Sequence, residues 1–255
     1  MDMEQIPRRT FVTQMLGGAL TFSLVKSLCG GRVLGAAVRP LAVKWLAEVE
    51  EMSSGLKGRK VSPGEWQAKI EDPFHRVELK DLLRSINYDE LIKAPLFPED
   101  HESALELEFP RVEGLPAELT YVPMFIAFKK GRAIVPHGHH NMVSMHMALE
   151  GEVHARHFEN RGGDDKHLLI EPTLDKTFAR GELSTVSDER NNIHWFKATS
   201  GPVFMFNVAV FGLDGTRNFS GRDYIDPLGG EKLGDGRIRA RRIDHKEAFR
   251  LYGNT

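Results

Sequence analysis

Two periods of hydrophobic and polar residues divide the chain. From about residue 40 to 92 the apolar positions recur at helical spacing. Leu41, Trp45, Leu46 and Val49 form one stripe at i, i+4, i+5 and i+8. Ser62-Pro63-Gly64-Glu65 reads as a helix start, with Ser at the N-cap, Pro at the first helical position and Glu three residues after the cap. From about Leu105 the period drops to two. Leu105-Glu106-Leu107-Glu108-Phe109 alternates apolar and acidic, as a half-buried strand does. The run 119–128 is a strand whose Pro123 argues for an edge or a bulge. Further strands are expected at 143–149, 153–158, 167–170, 183–186, 193–197 and 202–211. Clusters of Gly, Asn and Asp at 151, 162–165, 181, 191–192 and 201 separate them. Short strands at close intervals predict a sandwich or barrel. The chain therefore reads as mainly β, one domain, with a helical layer over 38–104, a barrel over 105–227 and a tail over 228–255. The stretch after Asp214, rich in Gly and charge, is expected to wrap the surface.

The first 37 residues follow neither period. Arg8-Arg9 precede Phe11, then a weakly apolar stretch to Val25, then small residues at Gly30-Gly31 and Gly35-Ala36-Ala37. This is the pattern of a twin-arginine signal peptide with cleavage near Ala37. About 15 apolar residues fall short of the roughly 20 that span a membrane. The expected route is export of a folded protein to the periplasm by the twin-arginine translocase, without stable membrane insertion of the mature chain.

Composition narrows the chemistry. The 255 residues carry 34 Lys and Arg against 36 Asp and Glu, a net charge of −2. Without 1–37, which hold four basic and two acidic residues, the balance is 30 against 34, or −4. No basic excess exists to hold nucleic acid. The single cysteine, Cys29, leaves with the signal, so neither a disulfide nor a Cys-rich metal site is available. Histidine is the abundant resource. Of eleven, seven lie between His137 and His167.

Ile134-Val135-Pro136-His137-Gly138-His139-His140 contains a His-x-His pair. Period two points His137 and His139 to one face and His140 away. A further histidine, His194, opens another strand. Strand starts on one side of a barrel meet around one cavity, so His137, His139 and His194 are the candidate metal ligands. His146 shares the inward parity of Ser144 and is a candidate donor or base in the cavity. His154 could line the cavity or face solvent. His157 and His167 flank a polar turn and are expected at the surface, as are His101 and His245. Trp195, Phe196, Phe206 and Met142 are candidate cavity walls.

The HxH segment, the strand pair after it and the later His resemble the cupins, β-barrels of the double-stranded β-helix or jelly-roll type that bind a metal inside. In the commonest cupin pattern a Glu ligand follows the second His by five residues; Ser144 stands there. A triad without that Glu is similar to the thiol dioxygenases of the plant cysteine oxidase and cysteamine (2-aminoethanethiol) dioxygenase family. The likeness runs from His137 through Met142 and Leu149 to Gly151. It continues through Asn192-Ile193-His194 with Phe196, Ala198 and Gly201-Pro202, and ends on Gly221-Arg222-Asp223-Tyr224. It implies a mononuclear non-haem Fe(II) oxygenase acting on a small-molecule thiol with O₂, with Mn, Ni and Zn as alternative metals. Asn207 stands where that family has an Asp, Leu213 where it has a Tyr, and Met147 where it has a Lys. Asn207 is therefore the candidate substrate-side catalytic residue, with His146 and His154, and an Asn cannot supply the charge that would fix a substrate ammonium. Three neutral imidazoles leave a divalent ion its full charge, which favours an anionic ligand such as a thiolate. A cupin isomerase or lyase with another metal, and a non-enzymatic metal-binding sensor, are the competing readings.

Overall fold

A computed structural model describes residues 40–93, 97, 102–107, 114–217 and 221–254. The twin-arginine segment lies outside the described residues. Among the described residues four helices come first: α1 (Pro40–Lys57), α2 (Pro63–Arg76), α3 (Leu79–Ser85) and α4 (Tyr88–Leu91). Eleven strands follow, and α5 (His245–Tyr252) closes the chain. The strands are β1 (Ser103–Glu106), β2 (Val122–Phe128), β3 (Ala133–Gly138), β4 (Met142–Glu150), β5 (Val153–Gly163), β6 (His167–Phe178), β7 (Leu183–Ser187), β8 (Ile193–Ala198), β9 (Val203–Phe211), β10 (Asp223–Lys232) and β11 (Ile238–Ile243).

The strands form two antiparallel arrays. One is a five-stranded sheet in the order β1-β2-β9-β4-β7; the other is a closed ring, β10-β11-β6-β5-β8-β3. With the helices packed on the first sheet, this is a mainly β fold, an antiparallel barrel with an N-terminal helical layer. The five-stranded sheet is buried on both faces, which explains why its central strands read as nearly unbroken apolar runs. On β4, Val143, Met145, Met147 and Leu149 face the helices, together with Phe206 and Val208 of β9 and Trp45, Leu46, Trp66 and Phe74. The alternate residues Met142 and Ala148 join Met205, Ala209, Met124 and Ile126 in the barrel interior.

The helical layer is fastened at specific points. The capping box forms, with Ser62 Oγ accepting from the Glu65 amide and Glu65 Oε2 from the Ser62 amide. Behind it Gln67, fully buried on α2, accepts from Ser187 Oγ at 2.6 Å and donates to Thr185 Oγ1 and Arg190 O at 3.3 Å. This ties α2 to the far end of β7.

Two expectations change. Pro123 lies in β2, between β1 and β9 rather than at an edge. It is tolerated because β1 ends at the Glu106–Met124 pair, one residue short of it. The tail does not wrap the surface. β10 pairs with β3 and β11, β11 pairs with β6, and α5 packs Ala248 and Tyr252 on Ala133, Val135 and Trp195. Its apolar content is thin but regularly placed: Ile225, Ile238 and Ala240 complete a small core with Phe158, Leu168, Ile170 and Ile193. Among the described residues no helix is long and apolar enough to cross a membrane.

Candidate metal centre

β3 and the turn after it carry two of the three ligand candidates, and local sequence dictates their placement. Pro136 has no N–H to give to a neighbouring strand, and the β3–β8 ladder shifts register between Ile134 and His137. Pairing resumes with His137 directly opposite His194. Gly138 is needed for close approach: a Cβ there would lie 2.6 Å from Asn192 Oδ1. Asn192 in turn donates to His139 O at 2.6 Å and to Ser187 O at 3.3 Å, holding the backbone of the second histidine. Asn141 takes the left-handed conformation (φ 62°) that turns the chain into β4. Its side chain donates to Asp214 O and Arg217 O and accepts from the Asp214 amide, so the turn is braced.

His137, His139 and His194 each offer a ring nitrogen, and these atoms lie within 4.8 Å of one another. The Nε2 atoms of His137 and His139 are 2.9 Å apart, with the rings perpendicular at 89°. Two metal–nitrogen bonds of about 2.1 Å at a right angle place their nitrogens about 3.0 Å apart. The His137 Nδ1–H donates to Val135 O at 2.7 Å, which leaves Nε2 as its lone-pair atom. Nε2 of His139 faces that of His137, and Nδ1 of His139 and of His194 are enclosed without a hydrogen-bond partner. Burial drives the pKa of all three well below the ordinary imidazole value. The Arg222 guanidinium adds to this at His137 and His139, and the His146 imidazole adds to it at His194. The three are neutral at physiological pH, as ligands must be. An enclosed set of nitrogen donors without a carboxylate fits a divalent transition metal.

A cavity of about 40 Å³ opens on the triad. That is room for a few water-sized groups. Its apolar wall includes Met124, Ile126, Ile134, Met142 and Phe211, and its polar wall Ser144, His146 and Asn207. Glu102 and Arg222 form an ion pair at the same cavity, their side chains 8% and 13% exposed. Glu102 had no signal in the sequence, because it lies three residues before the alternating run and its partner is 120 residues away. Arg222 belonged only to the resemblance.

The other candidates divide. His146 lines the cavity, its ring 5.3 Å from that of His194, and burial, with the neighbouring His157 contributing, pushes its pKa down to about 3. Asn207 is buried beside it, donating to Ser144 Oγ at 2.6 Å and Met145 O at 2.8 Å. His154 is not in the cavity. It points outward and pairs with Asp175, Nε2 to Oδ1 at 2.5 Å. His140 also points away, 2.7 Å from Asp223 Oδ2. His157, expected at the surface, is fully buried inside. Val153, Ala155 and His157 alternate on β5, and that parity was the available signal. Among the aromatic wall candidates, Phe196 packs against His146 and His194, whereas Trp195 lies outside against Tyr252 and Phe206 faces Trp45 and Phe74.

No family model and no curated protein matches the chain. Among solved structures it is similar to an oxalate oxidase at 15% identity, over 45% of this chain and 53% of that one, with a TM-score of 0.33. A cupin superfamily protein from Desulfitobacterium hafniense matches at 13% identity, over 45% and 81%, with a TM-score of 0.29. Procruciferin, an 11S globulin from Brassica napus, matches at 16% identity, over 37% and 21%, with a TM-score of 0.30. The chain thus spans about half of the oxidase and a fifth of the globulin.

Proposed function

We propose that this chain is an exported, mononuclear non-haem Fe(II) cupin oxygenase that converts a small thiol to a sulfinate with O₂. The observation that carries the reading is the convergence of three buried, neutral imidazoles on one small cavity, with no carboxylate among them. In the overall reaction the thiol and O₂ combine: both oxygen atoms end on sulfur, sulfur gives up four electrons, and no outside reductant is needed. A ferrous ion held by His137, His139 and His194 would supply a Lewis-acidic, redox-active centre for both reactants. The protein's own part is to keep that centre dry and to orient what enters. Met142, Ile134 and Phe211 exclude water, and His146 stands by as a neutral imidazole able to hydrogen-bond what enters. Folded export through the twin-arginine translocase would let iron be loaded in the cytoplasm, before competition from Cu²⁺ or Zn²⁺ in the periplasm.

Asn207 favours a second reading. Its amide, held by Ser144 and the Met145 carbonyl, offers no charge for a substrate ammonium. A cupin isomerase or lyase using Mn, Ni or Zn, or a metal sensor, needs no such charge. One experiment separates them: anaerobic metal analysis of exported protein, followed by O₂ uptake with cysteine, cysteamine, mercaptopropionate and a peptide with N-terminal Cys. About one iron per chain and thiol-dependent O₂ consumption support the oxygenase. Iron without uptake on any of the four thiols rejects the thiol substrate, and a different tightly held metal rejects the iron.

A further inference from the structure

The polar residues of the barrel interior form two facing rows. On the ring, strand register aligns His157 with His194 and His194 with His137. On the five-stranded sheet it aligns Asn207 with His146 and His146 with Ser184. Directly opposed residues share a face, with Cβ atoms about 4.5–5.5 Å apart. The metal candidates occupy one end of the ring row. The other end is His157, and neither the site nor the cavity described above uses it.

His157 has no exposed surface, and neither of its ring nitrogens has a hydrogen-bond partner. A neutral imidazole carries one donor and one acceptor, so both are left idle in an enclosed place. Native interiors rarely leave such atoms idle without a reason. A phenylalanine would fill the same space and keep the edge-to-face contact with Phe196, whose ring centroid is 5.7 Å away at 85°. Across the strand pair, Nδ1 of His194 is also enclosed and unpartnered. A metal-bound histidine almost always donates its second N–H to an acceptor, which fixes both tautomer and ring orientation. His137 has that acceptor in Val135 O. His194 has no such acceptor within hydrogen-bonding distance, and the residue facing it has two unused nitrogens.

We propose that His157 is a positioning residue for His194: one of its ring nitrogens accepts the His194 Nδ1–H through one enclosed water, and so holds the His194 ring toward His137 and His139. This rests on the metal reading above. His146 is the rival acceptor, since its Nδ1 is also unpartnered. It differs in lining the substrate cavity, where a free nitrogen has another use.

The test uses the full chain and three variants, His157→Phe, His157→Gln and His146→Phe. Each is measured for Fe(II) affinity by anaerobic chelator competition, for the visible spectrum of the Co(II)-loaded form, and for the urea midpoint of the metal-free form. His157→Phe should weaken metal binding by about 10–100-fold and alter the Co(II) spectrum. Its metal-free midpoint should stay or rise, because an unsatisfied polar group has gone. His157→Gln, which restores an acceptor, should recover most of the affinity. The inference is overturned if His157→Phe binds as the parent does, if its affinity loss is matched by lost metal-free stability, or if only His146→Phe weakens the metal. If the parent chain itself binds no metal, the metal reading fails, and the inference fails with it.

Discussion

The histidines of this barrel live in two regions that treat the same side chain in opposite ways. Inside, His137, His139, His146, His157 and His194 are 0–6% exposed, and no hydrogen bond or ion pair to a carboxylate is found among them. Outside, His140 meets Asp223, His154 meets Asp175 and His167 meets Asp164. Desolvation without a counter-charge holds the first group neutral. A carboxylate does the reverse to His140, raising its pKa through the Asp223 hydrogen bond. Three of the interior rings converge within 4.8 Å, whereas each exterior histidine stands beside its own acid, so among the described residues the interior set is the one arranged to share a metal. Histidine density in the sequence is a poor guide to the site; burial together with convergence on one cavity is the better one.

The contrast breaks most sharply at the ligands. His139→Ala should reduce metal affinity well beyond the roughly 10–100-fold that partners behind a ligand carry, measured by anaerobic chelator competition. Retention of tight binding would remove His139 from the triad.

Acid should also distinguish the two regions. Histidines in the unfolded chain titrate near pH 6.5. Folding lowers His146 to about 3 and His157 to about 4, chiefly by burial. Below about pH 6.5 the unfolded chain binds protons that the folded chain refuses, so stability falls with pH. Each such group should cost about 2 kcal/mol at pH 5 relative to pH 7.5. His140, with its raised pKa, works in the opposite direction. Urea denaturation of the metal-free protein at the two pH values reads the difference, and His157→Phe should flatten it. A stability independent of pH across this range would contradict the neutral interior.

A smaller effect is expected where backbone meets site. Gly138→Ala sets a methyl 2.6 Å from Asn192 Oδ1, and Asn192 is anchored to His139 O and Ser187 O. Overpacking of this kind costs about 1–3 kcal/mol. Gly215→Ala, with nothing within 4 Å, is the matched control and should lie within about 0.5 kcal/mol. Equal midpoints for the two variants would refute the tight-approach argument.

The smallest change is expected outside. His154→Gln removes an exposed partner of Asp175 and should shift stability by less than about 1 kcal/mol, with metal affinity unchanged. A metal-binding defect there would mean that the surface set is coupled to the centre.

The cluster of His137, His139 and His194 was legible because most of its logic is local. His-x-His on a strand needs only the two-residue period, and Asn192-Ile193-His194 opens the strand that pairs with it. The helix cap at Ser62 was legible for the same reason. His157 was expected at the surface because a polar turn lies nearby, while the alternation Val153, Ala155, His157 set the inward face; His154, left open between cavity and solvent, faces out. The tail strands were missed because their apolar residues are few, and burial came from partners far along the chain. The Glu102–Arg222 pair joins residues 120 positions apart and had no local trace.

What the sequence by itself determined is therefore the periodicity: which stretches are helical, which are strands, and that His137 and His139 share a face. These follow from backbone geometry one or two residues at a time. The tertiary structure alone decided which histidines were buried and which met a carboxylate at the surface, and that the C-terminal strands close the ring. Burial and pairing are sums over distant neighbours, and a residue's charge state depends on that sum.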